Sequence, residues 1–193
     1  MELLLIRHGA TEWSEIGRHT GRTDLPLTAH GIAEAERLRE VVRAALSGRE
    51  IDRVLVSPMS RARRTAEIVL PGRAVEVIDE LREFDYGDYE GRRRVDIQQE
   101  RPDWSIWDHG CPRGESIDAA SARADRLLKN IEDGAGPVAV VSHGHISRIL
   151  AARALGLEAS AGRIFASATS ALSVIKDHHG QRCIYAWNVK ALQ

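Results

Sequence analysis

Basic and imidazole side chains follow directly after three apolar runs of the sequence. LLLI leads into Arg7 and His8, VLVS is followed closely by Arg61, and AVVS leads into His143 and Gly144. Each run is typical of a strand buried on both faces, and the carboxyl ends of parallel strands open on one edge of a sheet. Two guanidinium groups and two imidazoles at that edge would bind a compact dianion such as a phosphoryl group, to which arginine donates paired hydrogen bonds. A helix beginning near Gly144 would add backbone N–H groups and the positive end of its dipole.

Two other interpretations compete with an anion site. An arginine or a histidine after one strand is ordinarily a solvated or hydrogen-bonded polar residue, so each motif alone says little. A metal site built from His8, His143 and His145 is the second alternative. Zinc normally takes a further cysteine, histidine or carboxylate, and the neighbouring arginines would repel the ion. Because three strand ends carry the same chemistry, the sequence favours an anion site without a metal.

Alternating strand and helix patterns must position these residues. Apolar or alternating runs predict strands at residues 3–6, 53–57, 74–78, 137–142, 171–176 and 183–189. Helical spacing predicts one helix between Thr28 and Gly48, and further helices at residues 60–70, 95–101, 116–131 and 146–155. This order predicts an α/β fold, a three-layer α/β/α sandwich with a mostly parallel sheet. The terminal hairpin around His178, His179 and Gly180 supplies an antiparallel edge strand.

Size and composition restrict the functions to be considered. The 193 residues suit one domain, predicted over residues 1–193, and a formal net charge of −1 argues against nucleic-acid binding through bulk positive charge. Cys111 and Cys183 lack a C-x-x-C spacing and are typical of a reducing compartment. The opening MELLLI is too short for the apolar region of a signal peptide, and no stretch reaches the ~18 apolar residues of a membrane span. The sequence therefore predicts a cytoplasmic protein without a membrane partner.

Four motifs together resemble the histidine phosphatase superfamily, in its phosphoglycerate-mutase-like branch. They are RHG at residues 7–9, SPMSRARRTAE at 57–67, Glu83 within ELREFDYGDYEG, and VSHGH at 141–145. They occur in the order of the family and span nearly the whole chain. TEWSEIGRHTGRTDLPLT at 11–28 and RPDWSIWDHGCPRGES at 101–116 are similar to a narrower group of acid phosphatases and sedoheptulose-bisphosphatase-like enzymes.

The resemblance implies chemical roles for the residues at the strand ends. His8 would attack phosphorus and form a phosphohistidine, a reaction that a neutral imidazole can perform near pH 7. Its other ring nitrogen would need a hydrogen-bond partner that holds one tautomer, and we expect a backbone carbonyl. Arg7, Arg61 and His143 would surround the phosphoryl oxygens and stabilise their charge.

A carboxyl group must protonate the leaving oxygen and later activate water. The residues alone leave four candidates open, namely Glu12, Glu83, Asp85 and Glu90. The resemblance implies that Glu83 is the acid. It also implies that the substrate contacts lie at Thr11, Ser14, Thr20, Gly21 and Gly144. Neither a metal nor a cofactor is implied.

The resemblance implies a phosphomonoester hydrolase of the acid phosphatase type with broad specificity, acting on small phosphorylated metabolites such as sugar phosphates or bisphosphates. Mutases of this superfamily carry a longer segment between the acid and the second histidine. Here the separation from Glu83 to His143 is only 60 residues. Phosphoglycerate mutase and a non-catalytic module that binds phosphorylated ligands remain the alternatives.

Residues 84–115 are predicted to cover the substrate. Within this segment Arg92–Arg94 form either a solvated helix face or a second phosphate contact. Trp104 and Trp107 belong either to the core or to the wall of a pocket. The terminal hairpin could pair two copies as a homodimer.

Overall fold

The computed structural model describes residues 1–132 and 136–191, in which six strands form one sheet. In chain order the strands are β1 (Glu2–Arg7), β2 (Arg53–Val56), β3 (Glu76–Val77), β4 (Pro137–Ser142), β5 (Leu172–His178) and β6 (Gln181–Val189). Their order across the sheet is β3-β2-β4-β1-β5-β6. The first strand, β1, thus lies in the interior of the sheet, and the last, β6, lies at its edge.

Strand direction confirms the predicted mixed sheet. β3, β2, β4 and β1 are parallel, whereas β5 is antiparallel to both β1 and β6. The strand that runs against the others is therefore β5, next to the edge, and the edge strand β6 shares the direction of β1. Arg7 at the end of β1 lies opposite Ser142 at the end of β4. The parallel register thus brings the residues that follow both strands to the same place.

Within the described residues, seven α-helices and three short 3₁₀ turns connect these strands. The helices are α1 (Glu12–Glu15), α2 (Ala29–Leu46), α3 (Ser60–Val69), α4 (Arg94–Glu100), α5 (Ile106–His109), α6 (Ile117–Glu132) and α7 (Gly144–Ala154). The 3₁₀ turns span Asp79–Leu81, Gly87–Tyr89 and Ala159–Ile164. Thr28 caps α2 by accepting a hydrogen bond from the Gly31 N–H, as predicted. The left-handed residue that ends α2 is Ser47, one position before the expected glycine.

Two apolar cores cover the two faces of the sheet, as a three-layer sandwich requires. Leu3 and Leu5 of β1 pack with residues of α6 and α7, whereas Leu4 and Ile6 pack with residues of α2 and α3. Alternate side chains of a strand point to opposite faces, and both faces of β1 are buried. The continuous apolar sequence of β1 follows from this double burial.

Two of the predicted elements differ in detail from the structure, and the terminal hairpin agrees with it. The third strand is reduced to Glu76–Val77, both exposed, because it pairs with only two residues of β2 at the sheet edge. α7 begins at Gly144, two residues earlier than predicted, which makes His143 its N-cap. His179 and Gly180 both have positive φ, as a two-residue hairpin turn requires, and the predicted hairpin is confirmed. No helix in the described ranges is long and apolar enough to cross a membrane.

Candidate active site

The backbone after β1 fixes the first two candidate residues. The His8 N–H donates to the Ser142 carbonyl, with 3.0 Å between nitrogen and oxygen, and the Arg7 N–H donates to the Ala171 carbonyl at 3.2 Å. A side chain at Gly9 would lie 2.4 Å from the Gly31 carbonyl oxygen, so α2 packs directly against this turn. The backbone hydrogen bonds of Arg7 and His8 and the close packing of α2 against Gly9 together determine where the His8 ring lies.

The His8 ring is held in one tautomer. Its Nδ1 lies 2.7 Å from the Gly9 carbonyl oxygen, and since a carbonyl only accepts hydrogen bonds, Nδ1 carries the hydrogen. Nε2 therefore bears the lone pair and has no hydrogen-bond partner among the described residues. Burial, followed by the positive charges of Arg7 and Arg61, lowers the pKa of His8 well below its usual value. The ring is thus a neutral base with a free Nε2, and the backbone-carbonyl partner predicted from the sequence is confirmed.

His143 has the opposite tautomer. Arg61 Nε donates to His143 Nδ1 at 3.2 Å, and because a guanidinium has no acceptor, Nδ1 must accept. His143 Nε2 therefore carries the hydrogen, which it donates to Ser57 Oγ at 2.7 Å. The centroids of the His8 and His143 rings lie 5.1 Å apart. Burial and the charge of Arg61 lower the pKa of His143 well below its usual value, so both rings are neutral.

Arg61 binds the segment that follows the RHG motif. Its Nη1 donates to the Thr23 carbonyl at 2.9 Å, and its Nη2 to the carbonyls of Thr20 and Gly21 at 3.1 Å each. The side chain is 0% exposed. A buried guanidinium needs acceptors for its donors, and these carbonyls together with His143 supply them. Arg61 thus fixes both the loop at residues 20–23 and the second histidine.

Glu83 is bound at the N-terminus of α7. Its Oε1 accepts hydrogen bonds from the backbone N–H groups of His145 at 3.1 Å and Ile146 at 3.0 Å, and from its neighbour Phe84 at 2.9 Å. The N-terminus of a helix presents unpaired N–H groups and the positive end of its dipole to such a carboxylate. These bonds hold the carboxyl group of Glu83 in a defined position beside Gly144.

Gly144 leaves room for two charged groups. A Cβ at this position would lie 3.3 Å from Arg7 Cζ and 3.5 Å from Glu83 Oε2. Arg7 donates from Nη1 to the Ser167 carbonyl, whereas its buried Nε has no hydrogen-bond partner in the described part of the chain. The guanidinium and the carboxylate therefore meet across a glycine, with donors of Arg7 still to be satisfied.

These groups border a cavity of about 210 Å³, the inner cavity. Six of the residues predicted from the sequence line it, namely Arg7, His8, Ser14, Thr20, Glu83 and Gly144. Four others lie behind its wall: Arg61, His143, Thr11 and Gly21. Their direct contact with a substrate stays a prediction, whereas their contacts with the lining residues are part of the structure.

Thr11 and Ser14 form a capping box at the start of α1. The Thr11 hydroxyl accepts from the Ser14 N–H at 3.3 Å, and the Ser14 hydroxyl accepts from the Thr11 N–H at 2.8 Å. Gly21 is part of the loop at residues 20–23, and its N–H donates to both carboxylate oxygens of Glu90 at 3.0 Å. The hydroxyls and the glycine thus shape the segment that covers His8.

One wall of the inner cavity is aromatic and was not predicted from the sequence. His19 stacks on Tyr86 with 4.5 Å between ring centroids, and the Tyr86 hydroxyl lies 2.8 Å from His145 Nδ1. Burial lowers the pKa of His19 to about 4. Burial, followed by the negative charge of Glu83, raises the pKa of Tyr86 well above its usual value. Both side chains are therefore neutral. His145 faces this wall and not His8, and the described residues include no group of three placed to hold a metal ion. His19, Tyr86 and His145 lie far apart in the sequence, and no spacing pattern connects them, so their contact could not be predicted.

Comparison with known proteins agrees with this geometry. Residues 3–190 match the histidine phosphatase superfamily (branch 1). The chain is 40% identical over 185 residues to an acid phosphatase of Mycobacterium tuberculosis, covering 93% of this chain and 88% of that protein. It is 37% identical over 183 residues to the sedoheptulose 1,7-bisphosphatase of Saccharomyces cerevisiae, covering 80% and 67%. The crystal structure of the alpha-ribazole phosphatase from Shigella flexneri superimposes with a TM-score of 0.84 at 32% identity, covering 100% and 98%. The chain belongs to the histidine phosphatase superfamily.

Proposed function

We propose that this protein hydrolyses phosphate monoesters through a phosphohistidine formed on His8. The observation that carries the proposal is the neutral His8 ring, held by Gly9 at Nδ1 with Nε2 free, in a cavity that Arg7 and Glu83 also line. A lone pair on an imidazole nitrogen is a competent nucleophile. A cation beside it can stabilise the phosphoryl charge, and a carboxyl group can exchange the proton.

The reaction takes two balanced steps. His8 Nε2 bonds to phosphorus while the bond from phosphorus to the ester oxygen breaks, and Glu83 gives that oxygen a proton. Glu83 then takes a proton from water, whose oxygen bonds to phosphorus while the bond to Nε2 breaks and phosphate leaves. Arg7 donates to the phosphoryl oxygens, and Arg61 and His143 add charge and polarity from behind the wall.

The finer parts of the function are proposed on narrower grounds. The substrate is a small phosphorylated metabolite, and no metal takes part. Residues 84–115 cover it within a single 1–193 domain, supported by Tyr86, Trp104 and Trp107 beside the site. The free thiols of Cys111 and Cys183 support a cytoplasmic location. A homodimer through the unpaired edge of β6 is a further proposal.

Turnover of p-nitrophenyl phosphate by wild type and by the His8→Ala variant tests the proposal. We expect hydrolysis by wild type that persists in EDTA, and a loss on the order of 10⁴-fold or more in the variant. Acid-labile phosphate trapped on wild type and absent from His8→Ala would identify the intermediate. A variant as active as wild type, or wild type that binds phosphate without turnover, would remove the proposal. Transfer of phosphate to 3-phosphoglycerate in place of water would favour a mutase.

A further inference from the structure

The strand β6 carries a β-bulge near its C-terminal end. Ser173 of β5 lies opposite two residues of β6, Trp187 and Asn188, because the pairing shifts between Leu172 and Val174. Asn188 has a φ of +55°, in the left-handed region, and its N–H donates to Ser173 Oγ at 2.9 Å. Asparagine tolerates this conformation better than most residues with a side chain. A bulge bends its strand and redirects the neighbouring side chains.

Both side chains of the bulge bind the loop at residues 166–170, one on each side of Ser167. Trp187 Nε1 donates to the Ala166 carbonyl at 2.7 Å. The Ala168 N–H donates to Asn188 Oδ1 at 2.6 Å, and since a backbone N–H only donates, this amide atom is the oxygen. The peptide groups before and after Ser167 are therefore each held by a side chain of β6.

The peptide group that Asn188 holds is also the one that binds Arg7. Arg7 Nη1 donates to the Ser167 carbonyl, and Ser167 lines the inner cavity. This carbonyl and the Ala168 N–H belong to one planar trans peptide group, so they point in opposite directions. Asn188 and Arg7 thus bind opposite ends of a rigid unit. The direction in which Asn188 holds the N–H determines where the acceptor of Arg7 lies.

Further contacts bind the rest of this loop. Thr169 Oγ1 donates to Glu34 Oε2 at 3.1 Å, and Lys190 Nζ, just beyond β6, donates to Glu34 Oε1 at 2.7 Å. The Ser170 N–H donates to the His8 carbonyl at 3.1 Å. The loop is therefore bound at residues 166, 168, 169 and 170. Its remaining residue, Ser167, presents its carbonyl to Arg7.

We infer that Asn188 is a positioning residue for Arg7 and acts through the peptide group between Ser167 and Ala168. In the described part of the chain, the Ser167 carbonyl is the sole hydrogen-bond acceptor of the Arg7 side chain. The inference rests on the proposed function, in which Arg7 stabilises the phosphoryl charge, and Asn188 itself touches no substrate. Electrostatic stabilisation depends on donors that are already in place, so a displaced Arg7 lowers turnover.

A double-mutant cycle between Arg7 and Asn188 tests the inference. Asn188→Gly removes the acceptor of the Ala168 N–H but keeps the bulge, because glycine adopts a positive φ freely. We expect it to lower kcat/KM for p-nitrophenyl phosphate about 10-fold, since misplacement of about 1 Å can cost 10²-fold. In an Arg7→Ala background the same substitution should change kcat/KM by less than about 2-fold, because the group that it positions is gone.

Two further variants separate positioning from a general effect on β6. His179→Gly is the matched control, because His179 has a φ of +53° at the other end of the same hairpin. It should change kcat/KM by less than about 2-fold in both backgrounds. Asn188→Asp keeps an acceptor oxygen for the Ala168 N–H and should restore kcat/KM to within about 3-fold of wild type.

Equal falls in the two Arg7 backgrounds would overturn the inference, because Asn188 would then act independently of Arg7. An Asn188→Asp variant as slow as Asn188→Gly would overturn it too. If Asn188→Gly shows no folded state by circular dichroism, Trp187→Phe replaces it in the cycle with the same expected pattern. That variant removes the donor to Ala166 and keeps a ring against Phe165.

A calorimetric titration with inorganic phosphate distinguishes this inference from the proposed function. If wild type binds phosphate but hydrolyses no ester, the proposed function fails, and the cycle is repeated on phosphate affinity. Weakening by Asn188→Gly only where Arg7 is present supports the positioning role. Equal weakening in both backgrounds, no weakening, or a wild type that binds no phosphate overturns it.

Discussion

The inner cavity and a second cavity of about 730 Å³ beside it are built from different kinds of chain segment. This second space, the outer cavity, shares the lining residues His19, His145 and Arg148 with the inner one. Arg7, His8 and Gly144 line the inner cavity directly at the ends of β1 and β4, and backbone carbonyls fix Arg7 and the His8 ring. The outer cavity is lined by side chains of short helices and turns, among them Arg94 of α4 and Trp107 of α5. A sheet allows its ends little freedom, whereas connecting segments tolerate substitution. Under the proposed function, this difference is expected if the inner cavity carries out the chemistry and the outer cavity contacts the variable part of the substrate.

The largest expected effect of this contrast is at Glu83. Glu83→Gln keeps an oxygen that can accept from the N–H groups of α7 but cannot exchange a proton. We expect turnover of an alkyl phosphate to fall about 10²–10⁴-fold, the usual contribution of general acid–base catalysis. With p-nitrophenyl phosphate, whose leaving group needs no proton, the first step should persist and phosphohistidine should accumulate as a burst of one nitrophenol per enzyme.

Asp85→Asn is the matched control for Glu83→Gln. Asp85 is an ion-pair partner of the exposed Arg22 and accepts from the Gly87 N–H, outside both cavities. Its substitution should change turnover by less than about 3-fold, the effect of a surface pair. Equal rates for Glu83→Gln and wild type on the alkyl phosphate would exclude Glu83 as the acid.

A buried side chain of the inner site should affect stability as well as activity. Arg61→Gln would leave the carbonyls of Thr20, Gly21 and Thr23 without their donors. We expect a loss of about 3 kcal/mol in the free energy of unfolding, equivalent to roughly 6–12 °C in Tm. Activity should fall about 10²-fold because the loop over His8 is released. Circular dichroism melts and p-nitrophenyl phosphate turnover measure the two effects.

Arg61→Lys separates the charge of Arg61 from its geometry. A lysine keeps the charge but cannot donate to three carbonyls and His143 in the planar geometry of a guanidinium. It should restore little of either quantity. Arg94→Ala, exposed on the outer cavity, should leave Tm within about 1 °C of wild type. If Arg61→Gln melted at the wild-type temperature, the comparison between a rigid inner site and an adjustable outer one would fail.

The same contrast explains what the sequence could predict. His8 and Gly144 follow apolar runs that are buried on both faces, and parallel pairing leaves one arrangement for them. A carbonyl partner for the His8 ring was predictable because nearby backbone is the commonest acceptor in such a turn. Helices, sheet and inner site therefore follow from periodicity, strand ends and the RHG, Glu83 and HGH motifs.

Periodicity could not separate the residues that face the cavity from those behind its wall. Arg61 and Arg7 both follow a predicted strand, so the sequence gives them the same expected role. In the structure Arg61 donates to carbonyls of residues 20–23, whereas the buried Nε of Arg7 has no hydrogen-bond partner among the described residues. That distribution depends on where a loop without regular structure places its carbonyls. The same holds for the arginines at residues 92–94. Glu100 forms an ion pair with Arg92 and Asp96 forms one with Arg93, whereas Arg94 has no ion pair within the described ranges.

The smallest expected effect is at Gly144, where activity and stability should separate. A methyl group there would lie 3.3 Å from Arg7 Cζ, tighter than an ordinary van der Waals contact, so the guanidinium must shift by a few tenths of an ångström. We expect Gly144→Ala to lower kcat/KM for p-nitrophenyl phosphate about 10-fold, because misplacement of about 1 Å can cost 10²-fold. Its Tm should stay at or above that of wild type, because alanine is favoured over glycine in a helix.

Gly156→Ala is the matched comparison for Gly144→Ala. Gly156 follows α7 with φ of +75°, and an added Cβ there would have no other atom within 4 Å, so a methyl group meets no neighbour but strains the backbone. This variant should lose Tm and keep kcat/KM, the reverse of Gly144→Ala. If both variants lost activity and stability in proportion, Gly144 would act on α7 as a whole. Opposite responses of the two variants would show that Arg7 and Glu83 can take their places only if residue 144 has no side chain.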